Sequence, residues 1–552
     1  MVIYSQVDFH NISESLYNDL SSTIKGERVE TLLEKAYFKY GEELPSLLKN
    51  SFAFALFTPQ TQTYFAARDP LSIKALYYTF QGTTAFFSNS IDTLLLDSGR
   101  KREANLNAMD ALLHIHYVDY ETTMYKGVYR LPPGYSMTIE NGKKTLKRFW
   151  FPEHIKTNYA LTEETAGNTL KKLFRKAIEK NIDNLEETAF ELSGGLDSSS
   201  VVSVLAQEKD PKHIDTYSIS LEGFNDDETE YVQSVLQDYT VNNQTVVSSK
   251  LDYKDRYNMR FMYQVSPNWP AVMPLMQAFP MMEAMQKDGK KVIISGQGGD
   301  HLFTGSFRVT AEDLWCRKKI PKLFALLKEE GRPFTLVKQF VIRPILGEKL
   351  ISLLQKKEKN NAFTHYSKEH HAIEEFTDKI DLDTSVSREA LNTITSSGYS
   401  MLMDSNLFHC VEAYFDMEYR HPFMDLDLVE FVLTLPPEFL YKEGKRKWIW
   451  RQAMKGILPE KVRNRESKSH FMAFIRQQIE AVDLEKLFTQ ANIVQLGLMK
   501  ASTIEEYHSR YNRLGHDELF RFWTMINMEY WYRYNFDPDS LDAIDGSSVK
   551  TV

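Results

Sequence analysis

The chain has 552 residues, of which 43% are hydrophobic and 26% charged, and carries a formal net charge of −9. A length of this order exceeds one core and asks for two or more domains, while the composition is that of a folded chain and not a disordered one. The acidic balance weighs against a nucleic-acid partner, which needs a face rich in Lys and Arg, and two cysteines, Cys316 and Cys410, are too few for a disulfide framework or a zinc site.

The opening Met1-Val-Ile-Tyr-Ser-Gln-Val-Asp8 lacks the layout of a signal peptide. No apolar run reaches membrane-spanning length, so the chain is expected to be cytoplasmic, with no membrane span. Residues 1–150 read as an α+β layer. Phe52-Ala-Phe-Ala-Leu-Phe57 and Thr63-Tyr-Phe-Ala-Ala67 predict paired strands across a polar turn, and Ala75-Leu-Tyr-Tyr-Thr79 and Thr84-Ala-Phe-Phe-Ser88 repeat the pattern through Gln81-Gly82. Between the pairs Pro70 fixes a turn, and Arg68 and Asp69 are expected to tie that loop to the sheet.

Tyr40-Gly-Glu-Glu43, Phe52-Ala-Phe-Ala-Leu56, Ala67-Arg-Asp-Pro70, Lys74-Ala-Leu-Tyr-Tyr78 and Leu131-Pro-Pro-Gly-Tyr135 together resemble the glutaminase domain of asparagine synthetases. The resemblance implies a class II glutamine amidotransferase domain of the N-terminal-nucleophile (Ntn) type, whose nucleophile is a cysteine left at position 1. Here residue 2 is Val2 and no cysteine precedes Cys316. Valine offers no nucleophilic atom, so a degenerate domain that makes no ammonia is expected.

From 155 to 540 helix and strand patterns alternate. Residues 161–180 predict an amphipathic helix with Thr162 as N-cap and Leu170, Leu173, Phe174, Ala177 and Ile178 as its apolar stripe. Thr188-Ala-Phe-Glu-Leu192 predicts a strand, Ser193-Gly-Gly-Leu-Asp-Ser-Ser199 a tight turn, and Val201-Val-Ser-Val-Leu-Ala206 a buried helix. That order builds a phosphate site, because free N–H groups and the positive end of a helix dipole meet at one point. Gly194 and Gly195 let an anion approach the main chain. Ser193, Ser198 and Ser199 add hydroxyls, and Asp197 offers an oxygen to Mg²⁺. The string is neither a Walker A loop nor a dinucleotide fingerprint; it resembles the pyrophosphate loop of the ATP-pyrophosphatase superfamily, which splits ATP between the α and β phosphates.

Further strands are expected at 213–220 and 244–247, with a helix from 226 to 237 between them. Lys291-Val-Ile-Ile-Ser295 then predicts a strand that runs into a second glycine loop, Ser295-Gly-Gln-Gly-Gly-Asp300. Such alternation implies an α/β fold with a parallel sheet covered on both faces and its ligand at the strand ends. By resemblance this is the synthetase domain, of adenine-nucleotide α-hydrolase-like type. The two loops are expected to converge on one nucleotide, with Asp197 and Asp300 sharing a Mg²⁺ ion. Resemblance makes Leu192, Ile219, Ser295 and Gly296 the adenosine-contacting positions. Gln297 stands among them where asparagine synthetases carry a glutamate and β-lactam synthetases a tyrosine, and an amide is neither acid nor base. Asp313-Leu-Trp-Cys-Arg-Lys-Lys-Ile-Pro-Lys-Leu323 resembles the segment that follows this loop in lasso peptide cyclases.

Residues 355–375 read as a solvated loop, in which His365, His370 and His371 match no standard metal spacing. Helical periodicity covers 387–418, and Glu418-Tyr-Arg-His-Pro-Phe-Met-Asp425 is similar to the asparagine synthetase motif before its last helices. Lys447 and Arg451, four residues apart, predict a shared helix face. The family pattern makes Lys447 a phosphate contact and Lys468, in Arg465-x-x-Lys468-x-x-Phe471, the lysine that steadies the transition state of amine attack. Asp404 or Glu412, before His421, is expected to take the proton of the amine. The polar tail after Asp537, including 541–552, is expected to be mobile.

These readings imply an enzyme that uses ATP and Mg²⁺ to adenylate a carboxylate and pass it to an amine. The lasso cyclase resemblance makes the substrate a precursor peptide, whose Asp or Glu side chain closes on its own N-terminus, with a leader peptidase and a leader-binding protein as expected partners. An asparagine synthetase using free ammonia or glutamine on a small carboxylate, and a non-catalytic scaffold of the same fold, are the alternatives.

Overall fold

The structure, a computed structural model, describes residues 2–7, 16, 28–49, 51–115, 119–220, 222, 227–270, 278–329, 331, 408–466 and 472–545. Among the N-terminal ones lie strands β1 (Val2–Val7), β2 (Phe52–Thr58), β3 (Thr63–Arg68), β4 (Tyr77–Gln81), β5 (Thr84–Ser88), β6 (Tyr129–Arg130), β7 (Tyr135–Glu140) and β8 (Lys143–Arg148). All pair antiparallel, in one sheet of order β1-β2-β3-β7-β8 and another of order β5-β4-β6. Side chains alternate in size along β2. Ala53 and Ala55 meet Leu76, Tyr78 and Leu131 between the sheets, while Phe52, Phe54 and Leu56 pack on Leu32, Leu33 and Ala36 of helix α1 (Val29–Tyr40). A strand buried on both faces needs this division between small and large residues. Arg68 and Asp69 tie the loop as expected: Arg68 donates to the carbonyls of Lys74 and Leu131, and Asp69 accepts the N–H groups of Leu71, Ile73 and Lys74.

The second domain opens with α2 (Glu163–Lys180), capped by Thr162, whose hydroxyl accepts the Thr165 N–H at 3.1 Å. Strands β9 (Thr188–Glu191), β10 (Asp215–Ser220), β11 (Asn242–Val247), β12 (Val292–Ile294) and β13 (Glu418–Arg420) form an all-parallel sheet of order β11-β10-β9-β12-β13. The connecting and flanking helices are α3 (Leu196–Ala206), α4 (Thr229–Tyr239), α5 (Phe279–Lys287), α6 (Leu426–Leu433), α7 (Trp448–Ala453) and α8 (His516–Phe536). Phe190, Leu192 and Ile294 face a core with α2, α3 and α6, while Ala189, Tyr217, Ile293 and Tyr419 face a core with α5 and α8. Strand order reverses between β9 and β12. In such sheets the loops leaving the two strands frame a crevice at the carboxyl edge, and these are the two glycine loops.

Two expectations are corrected. The helical pattern read as far as Glu418 stops at 415: Asp416 turns with φ 53, the Glu412 carboxylate accepts the Tyr419 N–H at 2.9 Å, and Glu418–Arg420 joins the sheet. The tail is helical over Pro538–Asp545 (α9), because Leu541 finds a buried site and Asp542 pairs with Arg260 at 2.6 Å. The 355–375 loop and residues 546–552 lie outside the described residues. No helix among those described is long and apolar enough to cross a membrane. The domains share an apolar core, in which the Tyr125 and Trp531 rings lie 5.7 Å apart, and polar contacts, Lys74 to Glu418 at 3.0 Å and Trp150 to Glu430 at 3.2 Å.

Candidate active site

Gly195 occupies the N-cap position of α3 in an extended conformation and offers no side-chain cap to the first turn. Uncapped N–H groups at the start of an eleven-residue helix make an anion site. Ser193 and Ser198 brace the turn: the Ser193 N–H donates to Ser198 Oγ at 3.1 Å, and the two hydroxyls lie 2.9 Å apart. The buried Ser199 hydroxyl has no hydrogen-bond partner among the described residues. The Gly194 carbonyl accepts from Arg465 Nη1 at 3.3 Å, and Arg465 also pairs with Glu228 and covers the Tyr231 ring at 4.3 Å. Arg465 thus locks the first loop onto α4.

The second loop closes on the first. A Cβ on Gly296 would stand 2.5 Å from the Ser198 nitrogen and 2.9 Å from its Cα. On Gly299 it would stand 2.4 Å from Asp197 Cγ. At Gly296 the contact is with backbone that cannot rotate away, whereas at Gly299 it is with a side chain. Ser295 Oγ accepts the Gln297 N–H at 3.2 Å and pairs with His421 Nδ1 at 2.8 Å. Leu192 is fully buried, its side chain in the core, its N–H bound to the Tyr217 carbonyl at 2.8 Å and its carbonyl to the Ser218 hydroxyl at 2.7 Å. Leu192, Ile219, Ser295 and Gly296 come from neighbouring strands at one edge of the sheet.

Asp197 and Asp300 meet at a single cation, the Lys447 ammonium, 2.5 Å from one carboxylate and 2.7 Å from the other. Burial pulls the Lys447 pKa down, but the two carboxylates outweigh it and hold the ammonium above its ordinary value. Two hard oxygen donors, bridged here by the Lys447 ammonium, suit Mg²⁺ once that ammonium moves aside, because Mg²⁺ takes few protein carboxylates and keeps water or phosphate oxygens in its remaining positions. Among the described residues no group of three or more His, Cys, Asp and Glu offers a fuller protein cage.

The expected helix face shared by Lys447 and Arg451 is corrected. Lys447 precedes α7 in a left-handed conformation, φ 56, which its ion pairs hold, and Arg451 turns away to the carbonyls of Arg446 and Arg463. Lys447→Met is expected to cost about 2 kcal/mol in EDTA, below the usual loss for a broken buried pair because Asp300 is half-exposed. Thermal melts check this, with Mg²⁺ recovering most of the loss in the variant.

His421 is buried, and burial pulls its pKa down to about 4 against an opposing pull from Glu412. It is therefore neutral at pH 7. A folded value below the ordinary 6.5 means the unfolded chain binds the proton more readily. The stabilisation is full above pH 6.5 and is lost as the pH falls through 4, by about 3 kcal/mol. Urea midpoints of wild type minus those of His421→Asn should shrink over that window.

Glu412 spends its carboxylate on the Tyr419 N–H and lines a cleft of about 710 Å³ between the domains, with Lys74, Glu418 and Arg420. Lys468 and Asp404 lie outside the described residues. Sequence reasoning missed the roles of Arg465 and His421. The arginine-rich run before Lys468 was a signal for the first; nothing local marked the second.

The chain matches the family described as Asparagine synthase over residues 169–533 and the Glutamine amidotransferase domain over residues 6–150. It is 25% identical over 457 residues to the glutamine-hydrolyzing asparagine synthetase 1 of Bacillus subtilis (strain 168), covering 79% of this chain and 70% of that protein. To the glutamine-hydrolyzing asparagine synthetase 3 of the same organism it is 25% identical over 461 residues, covering 80% and 70%. To the amidase chyE of Penicillium rubens it is 24% identical over 528 residues, covering 85% and 77%.

Proposed function

The chain belongs to the asparagine synthase family and is an ATP-dependent carbon–nitrogen ligase, and from that premise we propose that it closes a peptide into a ring, joining an Asp or Glu side chain to the N-terminal amine. The observation that carries this reading is the run 313–323 after the second loop, similar to the segment that follows this loop in lasso peptide cyclases, where the amine comes with the substrate. Gln297 supports the same reading, because its neutral amide removes the charge that asparagine synthetases place between these glycines.

In this mechanism the substrate carboxylate attacks the α-phosphorus of ATP. The first-turn N–H groups of α3 and the hydroxyls of Ser193 and Ser198 hold the departing pyrophosphate. Asp197 and Asp300 would hold Mg²⁺, which would neutralise charge on that leaving group. Lys447, released from the carboxylates, turns to the phosphates. Lys468 steadies the oxyanion as the amine displaces AMP. Activation is needed because a free carboxylate does not acylate an amine at neutral pH, and AMP supplies the leaving group. A leader peptidase and a leader-binding protein would free and deliver the amine end of the peptide.

The test is a purified chain with Mg²⁺, ATP and a synthetic peptide that begins with glycine and carries an Asp several residues on. Formation of a peptide lighter by one water, with one AMP per ring, is expected. Asparagine made from aspartate and ammonium, with the peptide untouched, would overturn the reading.

A further inference from the structure

Amide formation needs a base for the amine, and Glu412, with one oxygen on the Tyr419 N–H, lines the cleft between the domains with Lys74, Glu418 and Arg420. Stereochemistry says where a base must stand. In an in-line displacement the attacking and leaving groups lie on opposite sides of phosphorus. The first loop and α3 hold the leaving pyrophosphate on the face of Phe190, Leu192 and Ile294. The acyl group, and the amine that follows it, therefore meet the carboxyl edge of the sheet on the opposite side, at the end of the buried face of Ala189, Tyr217, Ile293 and Tyr419.

Glu191 stands at the carboxyl end of that face, as the last residue of β9 and two positions before Ser193. Its Oε1 accepts the Tyr419 hydroxyl at 2.9 Å, reaching across β12. The Tyr419 ring stacks on His421, centroids 5.8 Å apart and 12° between planes, and His421 is tied to Ser295. The carboxyl is thus fixed to the first glycine loop through the chain and to the second through Tyr419, His421 and Ser295. The titratable groups facing it are Tyr217 from β10, whose hydroxyl is spent on Asp288 at 2.8 Å, and Tyr419 and His421 from β13, with Glu412 behind. From β12 come only Ile293 and Ser295. None is a cation at neutral pH, so burial pushes Glu191 up to about 7, with the Tyr419 hydrogen bond pulling the other way.

We propose that Glu191 is the base that takes the proton from the attacking amine, and that Tyr419 is the positioning residue that aims it. The role rests on the amide-forming reading above. The amine lone pair forms the C–N bond at the acyl carbon of the adenylate, and the N–H proton moves to the Glu191 carboxylate. The C–O bond then breaks, AMP leaves with its electron pair, and Glu191 returns the proton to water. A carboxylate that titrates near the working pH is suited to this.

The full chain is tested with the peptide probe beginning with glycine and bearing an internal Asp. ATP–pyrophosphate exchange reads the first half-reaction and ring closure the second. Glu191→Gln is expected to keep exchange within about threefold and to lose closure by about 10²–10⁴-fold, with Glu191→Asp partly restoring it. Hydroxylamine, already neutral at pH 7, should rescue Glu191→Gln as the peptide hydroxamate. Wild-type closure should rise with pH through a limb near 7. Tyr419→Phe should move that limb to higher pH, because the lost hydrogen bond favoured the carboxylate. Closure unchanged in Glu191→Gln, exchange and closure falling together, or a limb that Tyr419→Phe leaves in place would each overturn the role of Glu191. No exchange in the wild type would overturn the ligase reading and this role with it.

Discussion

Asp197→Asn is expected to lower ATP–pyrophosphate exchange by about 10³-fold while the chain stays folded. The amide keeps the volume of the carboxylate and its reach to Lys447, so packing in the first turn of α3 is preserved. What it removes is charge. Asp197 and Asp300 bring two negative charges to the Lys447 ammonium, and with a single carboxylate left the position no longer attracts Mg²⁺ strongly enough to neutralise a leaving pyrophosphate. The stability cost should be small, about 0.5 kcal/mol, from losing a negative charge at a helix N-terminus. Exchange assays beside thermal melts separate the two effects. Exchange within tenfold of wild type would show that Asp197 holds no catalytic cation.

The second large effect is expected from Gly296→Ala. The new methyl carbon would meet the Ser198 nitrogen at 2.5 Å and its Cα at 2.9 Å, and these are backbone atoms with no rotamer to change. The loops must part, at a cost of about 1–3 kcal/mol. Displacing the loop by even 1 Å should cost about 10²-fold in exchange. Gly299→Ala makes an informative contrast, because there the methyl meets the Asp197 side chain at 2.4 Å, a group that can rotate away. It should leave stability nearly unchanged and weaken Mg²⁺ dependence. Titration of exchange against Mg²⁺ distinguishes the two variants.

Much of this site is legible in the sequence because its signals are local. Thr188 to Ala206 spells strand, turn and helix within one short window. The run Val292-Ile-Ile294 before Ser295-Gly-Gln-Gly-Gly-Asp300 announces a second loop of the same kind. The alternation of Ala and Phe along β2 announces its two buried faces. What stayed hidden depends on partners distant in sequence. Lys447 leaves the helix because two aspartates from two other loops draw its ammonium in. Glu418–Arg420 is strand because the Glu412 carboxylate catches the Tyr419 N–H and the backbone finds β12. Arg465 reads as one of several arginines until Gly194 and Glu228 are seen beside it. Glu191 looks like an ordinary strand-end glutamate until Tyr419 reaches it from β13. Periodicity carries no trace of such pairings.

The central claim is that ATP is cut between its first and second phosphates at the junction of these two loops. Product analysis with ATP labelled in the adenine tests it most directly, run with Mg²⁺ and the glycine-first peptide. AMP appearing in step with ring closure, and only when peptide is present, is the result the account predicts. Label recovered as ADP would contradict it.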